Sequence, residues 1–162
     1  MLGLWFGRGS PEPTTFLTPF IIVMQELAKR AVTIKLPCGT AVKCPVFAIA
    51  FCLDGIAQAK FANRKQHNGH CSCGYCYHPN DRVLDPSTLK PTRKFVAVEY
   101  ACRTHNDSVV DMHTADLLNK QGLLKRTNVG KDDETWDDIR GIKGITPCIE
   151  LPGFDAVFFI CH

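Results

Sequence analysis

With 162 residues, the chain is long enough to bury one core and too short for two comfortable domains. At 45% hydrophobic and 22% charged it is globular rather than disordered, and a net charge of +3 permits a nucleic-acid partner without arguing for one. No apolar run reaches the roughly 18 residues of a membrane span, and the opening MLGLWFGRGSPEP lacks the charged start and apolar centre of a secretory signal.

The nine cysteines would suit a secreted disulfide scaffold by count alone. Their number is odd, no secretion signal precedes them, and Cys44 and Cys52 lie in an apolar run where cysteine behaves as a small hydrophobe. These features point to reduced thiols and an intracellular protein, nuclear or cytoplasmic. A small disulfide-rich secreted domain is the competing reading, and counting free thiols under denaturing conditions separates the two.

In chain order, residues 14–31 (TTFLTPFIIVMQELAKRA) predict a helix. Phe16, Phe20, Val23, Leu27 and Ala31 recur at helical spacing, and Lys29 and Arg30 suit the negative end of its dipole. Pro19 requires either a start at Thr18 or a kink. VTIKL (32–36) alternates as a half-buried strand does, PCGT turns the chain, and AVKCPVFAIAFCL (41–53) predicts a strand buried on both faces, antiparallel to the first.

Asp54 follows at once. A carboxylate at the end of a buried strand is rigidly placed for chemistry; the local pattern favours instead an N-cap for the helix GIAQAKFANRKQ. That helix carries Lys60 and Arg64 four apart on one face, with Lys65 beside them. The stripe faces phosphate in one reading and solvent in the other.

Residues 80–95 hold two prolines and little periodicity, and predict a loop or extended excursion; VAVEYACRTH (96–105) includes a short strand. Residues 106–122 predict a second helix, capped by Asn106 and stopped by Gly122, with Val110, Met112, Leu117 and Leu118 toward the core. Residues 125–138 swing from basic to acidic, an exposed segment anchored by Trp136. Gly141, Gly144 and Pro152 mark turns before a last apolar run that ends at His162.

The segment QHNGHCSCGYCYHPND (66–81) sets Cys71, Cys73 and Cys76 among His67, His70 and His78. Zinc takes about four thiolate or imidazole ligands at tetrahedral angles, and Cys73 and Cys76, joined through a glycine turn, supply half of such a shell. His78 is the third ligand, its ring constrained by Pro79. Cys102 or His105 in ACRTH is the distal one, and Cys71 and His113 compete for the fourth place. A redox Cys-x-x-Cys expects a strand-to-helix start, which the pattern here lacks; reduced, metal-free cysteine is the third alternative. A closed thiolate-rich shell makes the zinc structural rather than catalytic. No nucleophile elbow, phosphate-binding glycine loop or dinucleotide fingerprint occurs.

GLWFGRGSPEPTTFLTPFIIVMQEL, FCLDGIAQAK, QHNGHCSCGYCYHP, RTH and GIKGITPCIELPGFDAV follow one another in an order that resembles the transposase domain of eukaryotic cut-and-paste transposons of the CACTA (En/Spm, Tnp2-like) type. In that group an Asn-Gly and a Cys-x-x-Cys-x-His-Pro knot come after a strand ending in aspartate. The likeness runs from about residue 3 to 157, and the knot and the Gly-Ile-x-Gly…Leu-Pro-x-Phe-Asp tail are its most specific parts.

The resemblance implies an α/β fold: a partial ribonuclease-H-like mixed sheet with flanking helices, one domain over 1–162 with a zinc-knot insertion at 66–105. It implies DNA as partner and acidic residues holding two magnesium ions, which activate a water or 3′-hydroxyl for in-line attack. Asp54 matches the second acidic ligand, which favours the metal-ligand reading over the cap. The family's first acidic strand lies upstream of this chain, FFICH stands where its Asp-x-x-His should follow FDAV, and its last acidic residue is absent. One carboxylate does not hold two ions against their hydration. The expectation is therefore a remnant, fragment or truncated gene product, inactive alone, whose missing flanking transposase segments or another subunit would complete it. Strand 41–53, poorly covered in such a piece, is expected to promote aggregation.

A reading from another class makes the chain a non-enzymatic zinc module that contacts nucleic acid or protein through Lys60, Arg64, Lys65 and KRTNVGK. DNA affinity that falls with salt and ignores Mg²⁺ distinguishes it.

Overall fold

Glu12 opens the first helix, α1 (Pro13–Arg30), where its carboxylate accepts the Thr15 N–H at 2.7 Å and Pro13 sits in the first turn. The computed structural model describes residue 9 and residues 11–66, 69–94, 98–124, 139–157 and 160–161. The helix runs straight past Thr18 and keeps Pro19 inside it, at the loss of one intrahelical bond. Its inward face is Leu17, Ile21 and Met24, one residue on from the expected Phe16–Phe20–Val23 stripe; Phe16, Phe20 and Leu27 flank the contact and Val23 is 46% exposed. Residues 16–24 are apolar around most of the helix, so spacing alone leaves the facing angle open.

Strands β1 (Val32–Lys35) and β2 (Ala41–Cys44) pair antiparallel, as their pattern predicts, with Val32 opposite Cys44 and Ile34 opposite Val42. The long buried strand expected over 41–53 does not form. Pro45 has no N–H for a ladder, β2 ends before it, and its residues are exposed apart from half-buried Cys44. Ile49 is 87% exposed, and regular structure returns only at β3 (Phe51–Cys52), which pairs parallel with β6 (Ile160–Cys161).

Helix α2 (Gly55–Phe61) ends in a left-handed turn at Asn63 (φ 48°), where the Arg64 N–H reaches the Ala59 carbonyl and the Asn63 N–H that of Lys60. This pair of bonds is the Schellman arrangement. Residues 80–95, expected as a loop or extended excursion, contain the antiparallel hairpin β4 (Asp81–Leu84) and β5 (Pro91–Lys94). Helix α3 (His105–Lys120) is capped two residues before the expected Asn106, because the Thr104 hydroxyl accepts the Asp107 N–H at 3.1 Å. It buries Ser108, Asp111, Met112 and Ala115, while Val110 and Leu117 face outward. Its end at Gly122 (φ 69°) repeats the Schellman pattern.

The architecture is thus α/β, with three two-stranded sheets among the described residues, two antiparallel and one parallel. Two apolar clusters hold it together. One packs α1 on Ala62, Cys148 and Leu151; the other packs α3 on Leu124, Ile139 and Ile142. Residues 139–157, which include a 3-10 helix at Pro147–Glu150, contribute to both. No helix among the described residues is long and apolar enough to cross a membrane. Trp136 and the basic-to-acidic segment lie outside those residues.

Ile142 has no exposed surface. Ile142→Ala is expected to lower unfolding free energy by about 2–5 kcal/mol, read from urea denaturation. Leu117→Ala, on the outer side of α3, should move it by no more than about 0.5 kcal/mol.

Candidate metal centre

The turn at Asn63 delivers Arg64 into an antiparallel bridge with Ile142, flanked by Lys65 N–H to Gly141 carbonyl (2.9 Å) and Lys143 N–H to Asn63 carbonyl (2.9 Å). Beyond it, residues 69–80 fold back on themselves. The Cys71 N–H donates to the Pro79 carbonyl at 3.0 Å, and Asn80 donates from Nδ2 to the Gly69 carbonyl (3.0 Å) and to Ser72 Oγ (2.8 Å). Asn80 is 1% exposed and left-handed (φ 64°), a conformation asparagine tolerates better than most side chains.

Within this loop the Cys73 and Cys76 sulfurs stand 3.4 Å apart. Cys76 lies directly opposite Cys102, and the flanking bonds run from Tyr77 N–H to Ala101 carbonyl and from Arg103 N–H to Tyr75 carbonyl. That pattern makes Cys76–Cys102 a non-hydrogen-bonded pair, the kind with Cα atoms about 4.5 Å apart and side chains on one face. The two thiols of the turn differ. Burial raises Cys73, but the Tyr75 N–H, the Cys76 thiol and the Arg103 charge outweigh it and leave it below the usual thiol range. Burial and the neighbouring Cys73 sulfur hold Cys76 above that range.

The histidines are spread out. His78 is buried against the Tyr100 ring, centroids 4.5 Å apart, and its Nδ1 accepts the Asn80 N–H at 2.9 Å. His105 opens α3, and its Nδ1 accepts the Ala156 N–H at 3.1 Å. Cys71 Sγ lies 3.2 Å from His70 Nδ1, His113 is exposed on α3, and His67 falls outside the described residues. Cys73 and Cys76 are therefore brought together, with Cys102 across the bridge. Among the described residues no three His, Cys, Asp or Glu side chains gather as a metal-binding group.

Two buried arginines hold the loop, Arg64 from the expected phosphate-facing stripe and Arg103 from the RTH segment. Arg103 is 4% exposed; its Nε donates to the Cys73 and Cys76 carbonyls (3.0 and 3.2 Å) and its Nη2 to those of Cys71 and Arg140 (3.0 and 2.6 Å). Arg64 is 7% exposed and donates to the Gly74 carbonyl (2.8 Å) and the Ala156 carbonyl (2.7 Å). Burial pulls Arg64 down to about 10 and lowers Arg103 as well, so both stay charged at neutral pH. Arg103 and Arg140 both lie over the Tyr77 ring, at 4.7 and 4.6 Å, and Arg140 grips Asp111 through two nitrogens. Gly141 (φ 81°) makes the loop's seat: a Cβ there would run into the Cys71 carbonyl.

Asp54 is exposed, and its Oδ1 accepts the Ala57 N–H at 2.7 Å, the N-cap of α2. Lys60 is exposed and Lys65 half-buried, whereas Arg64 is turned inward, so these three do not form one surface stripe. No family model, curated protein or solved structure matches the chain.

Lysine keeps the charge of Arg103 but not the fork that reaches four carbonyls. Arg103→Lys is expected to lower stability by at least about 2 kcal/mol, measured by thermal or urea unfolding. Gly141→Ala, strained and in collision, should lower it by about 1–3 kcal/mol or more.

Proposed function

We propose that the chain belongs to the core of a CACTA-type cut-and-paste DNA transposase, is held by one structural zinc ion, and does not cleave DNA by itself. The observation that carries this reading is the Cys73–Cys76 thiol pair, 3.4 Å apart and facing Cys102, inside the segment whose motif order resembles that family. Thiolates bound to one tetrahedral zinc at ~2.3 Å stand about 3.8 Å apart, so the pair needs only a small widening.

Cys102 would complete three thiolates by rotation of its side chain. A bond from His78 or His105 as the fourth donor would use Nε2, because the Nδ1 of each accepts a backbone N–H. Zinc bound there acts as a cross-link between the 69–80 loop and residue 102. The donor set fits zinc. It does not fit a two-magnesium centre: Asp54 caps α2 and joins no group of three metal-ligating side chains among the described residues. No cleavage step is derived for this chain. The parallel β3–β6 pair, with Asp54 just beyond β3, is the piece of sheet that a ribonuclease-H-like fold would extend. DNA as partner, and with it a nuclear location, follow from the same resemblance, which the net charge of +3 permits without arguing for it.

The Asp54 cap equally favours a second reading, a non-enzymatic zinc module that contacts nucleic acid or protein. Native mass spectrometry of the purified chain is expected to find one zinc per chain, lost in Cys73→Ser. Supercoiled DNA incubated with Mg²⁺ should stay intact. Cleavage that disappears in Asp54→Ala would overturn the inactive-core reading, and salt-dependent DNA affinity indifferent to Mg²⁺ would select the module.

A further inference from the structure

Away from the thiols, a cavity of about 250 Å³ opens between the start of α1, the C-terminal part of α2 and the segment that follows the Gly141 turn. Its lining carries Lys60, Arg64 and Lys143 against one carboxylate, Glu12, which is bound to the Thr15 N–H. Among the described residues of the lining, three cations and one anion leave a local surplus of two positive charges.

Lys143 is the decisive group. Its backbone is pinned on both sides, the N–H by the Asn63 carbonyl at 2.9 Å and the carbonyl by Asn119 Nδ2 at 2.6 Å. Its ammonium is half-buried, burial alone lowers its pKa, and no carboxylate among the described residues pairs with it. Arg64, on the same wall and 93% buried by its 7% exposure, keeps an Nε with no hydrogen-bond partner among the described residues. A desolvated ammonium and an unmet guanidinium N–H beside a cavity are both costs that a bound anion offsets.

We propose that this cavity binds a phosphoryl group, held by Lys143 and Lys60 with Arg64 supplying charge from the wall. A phosphate monoester carries about −1.5 to −2 at neutral pH, which matches the surplus, and offers tetrahedral acceptors to donors from several directions. The volume lies below the roughly 300 Å³ where pockets for whole drug-sized ligands begin. The group is therefore free phosphate or the phosphate of a larger nucleic-acid ligand that stays outside. The inference is independent of the zinc reading, since no residue it uses is a thiol or a candidate ligand of the knot; Lys60 and Arg64 it shares with the nucleic-acid contact of the module reading.

The test is a titration of the purified full chain with sodium phosphate at constant ionic strength, following the amide signals of Asn63, Lys143 and Gly144 by NMR. Saturable shifts at these amides are expected. Lys143→Gln should weaken binding roughly ten- to a hundredfold, the loss of a charged hydrogen bond. Lys143→Arg should retain most of it, and Lys43→Gln, on the exposed β2 strand, should leave it unchanged. If Lys143→Gln does not fold, Lys60→Gln, an exposed change, serves in its place. A second arm uses short oligonucleotides with and without a 5′-phosphate. Competition only by the phosphorylated form assigns the site to nucleic-acid ends, competition by both assigns it to the backbone, and competition by neither assigns it to free phosphate. Absence of saturable shifts at these amides, or an equal loss in Lys43→Gln, overturns the proposal.

Discussion

A loop with no ladder of its own still has carbonyls to satisfy, and in this protein they converge on the guanidinium of Arg103. The carbonyls of Cys71, Cys73, Cys76 and Arg140 all point to one side chain that is 4% exposed. A buried peptide oxygen without a donor is costly, and arginine is the side chain whose fixed fork can reach several at once. Arg64 does the same for Gly74 and Ala156. The charge this puts inside is met by carbonyl dipoles and by the face of Tyr77, because the nearby carboxylate of Asp111 is already gripped by Arg140. A thiolate at Cys73, which the Arg103 charge favours, would place negative charge beside the two buried guanidinium groups.

The frame is joined to the rest of the molecule through residues 139–157. Their Ile139 and Ile142 belong to the α3 cluster, their Cys148 and Leu151 to the α1 cluster. Between them the left-handed pair Arg140 (φ 56°) and Gly141 (φ 81°) bends the chain so that one carbonyl reaches Arg103 and the next reaches the Lys65 N–H. A single tight turn thus ties both apolar clusters to the cysteine loop. The knot is a central part of the packing rather than an appendage on it.

What was legible in the sequence was what is decided locally. The β1–β2 pairing, the Cys73–Cys76 turn and the stop at Gly122 depend on residues within a few positions of one another. So does the Asp54 cap, which the local pattern favours and the resemblance set aside for a metal-ligand role. The facing angle of α1 was not, because its apolar residues surround the axis and only the position of Cys148 and Leu151 selects Leu17, Ile21 and Met24. The β4–β5 hairpin was hidden by its composition: DRVL and PTRK alternate too weakly to announce strands. Thr104 outcompeted Asn106 as the α3 cap because its hydroxyl, not the asparagine, meets a first-turn N–H. The burial of Arg64 and Arg103 has no local signature at all, since it depends on which distant carbonyls lack donors. A fold-level resemblance does not supply that information either.

The β1–β2 ribbon stands apart from this network. Val32, Ile34, Val42 and Cys44 share one of its faces, yet all of its residues except Cys44 are exposed and neither apolar cluster includes them. Its cross-strand bonds therefore open without disturbing Arg103, the 139–157 turn or either core. Amide hydrogens there exchange through local opening, at a free energy well below that of global unfolding. Local opening of the same ribbon gives a protease access to it while the cysteine loop remains folded.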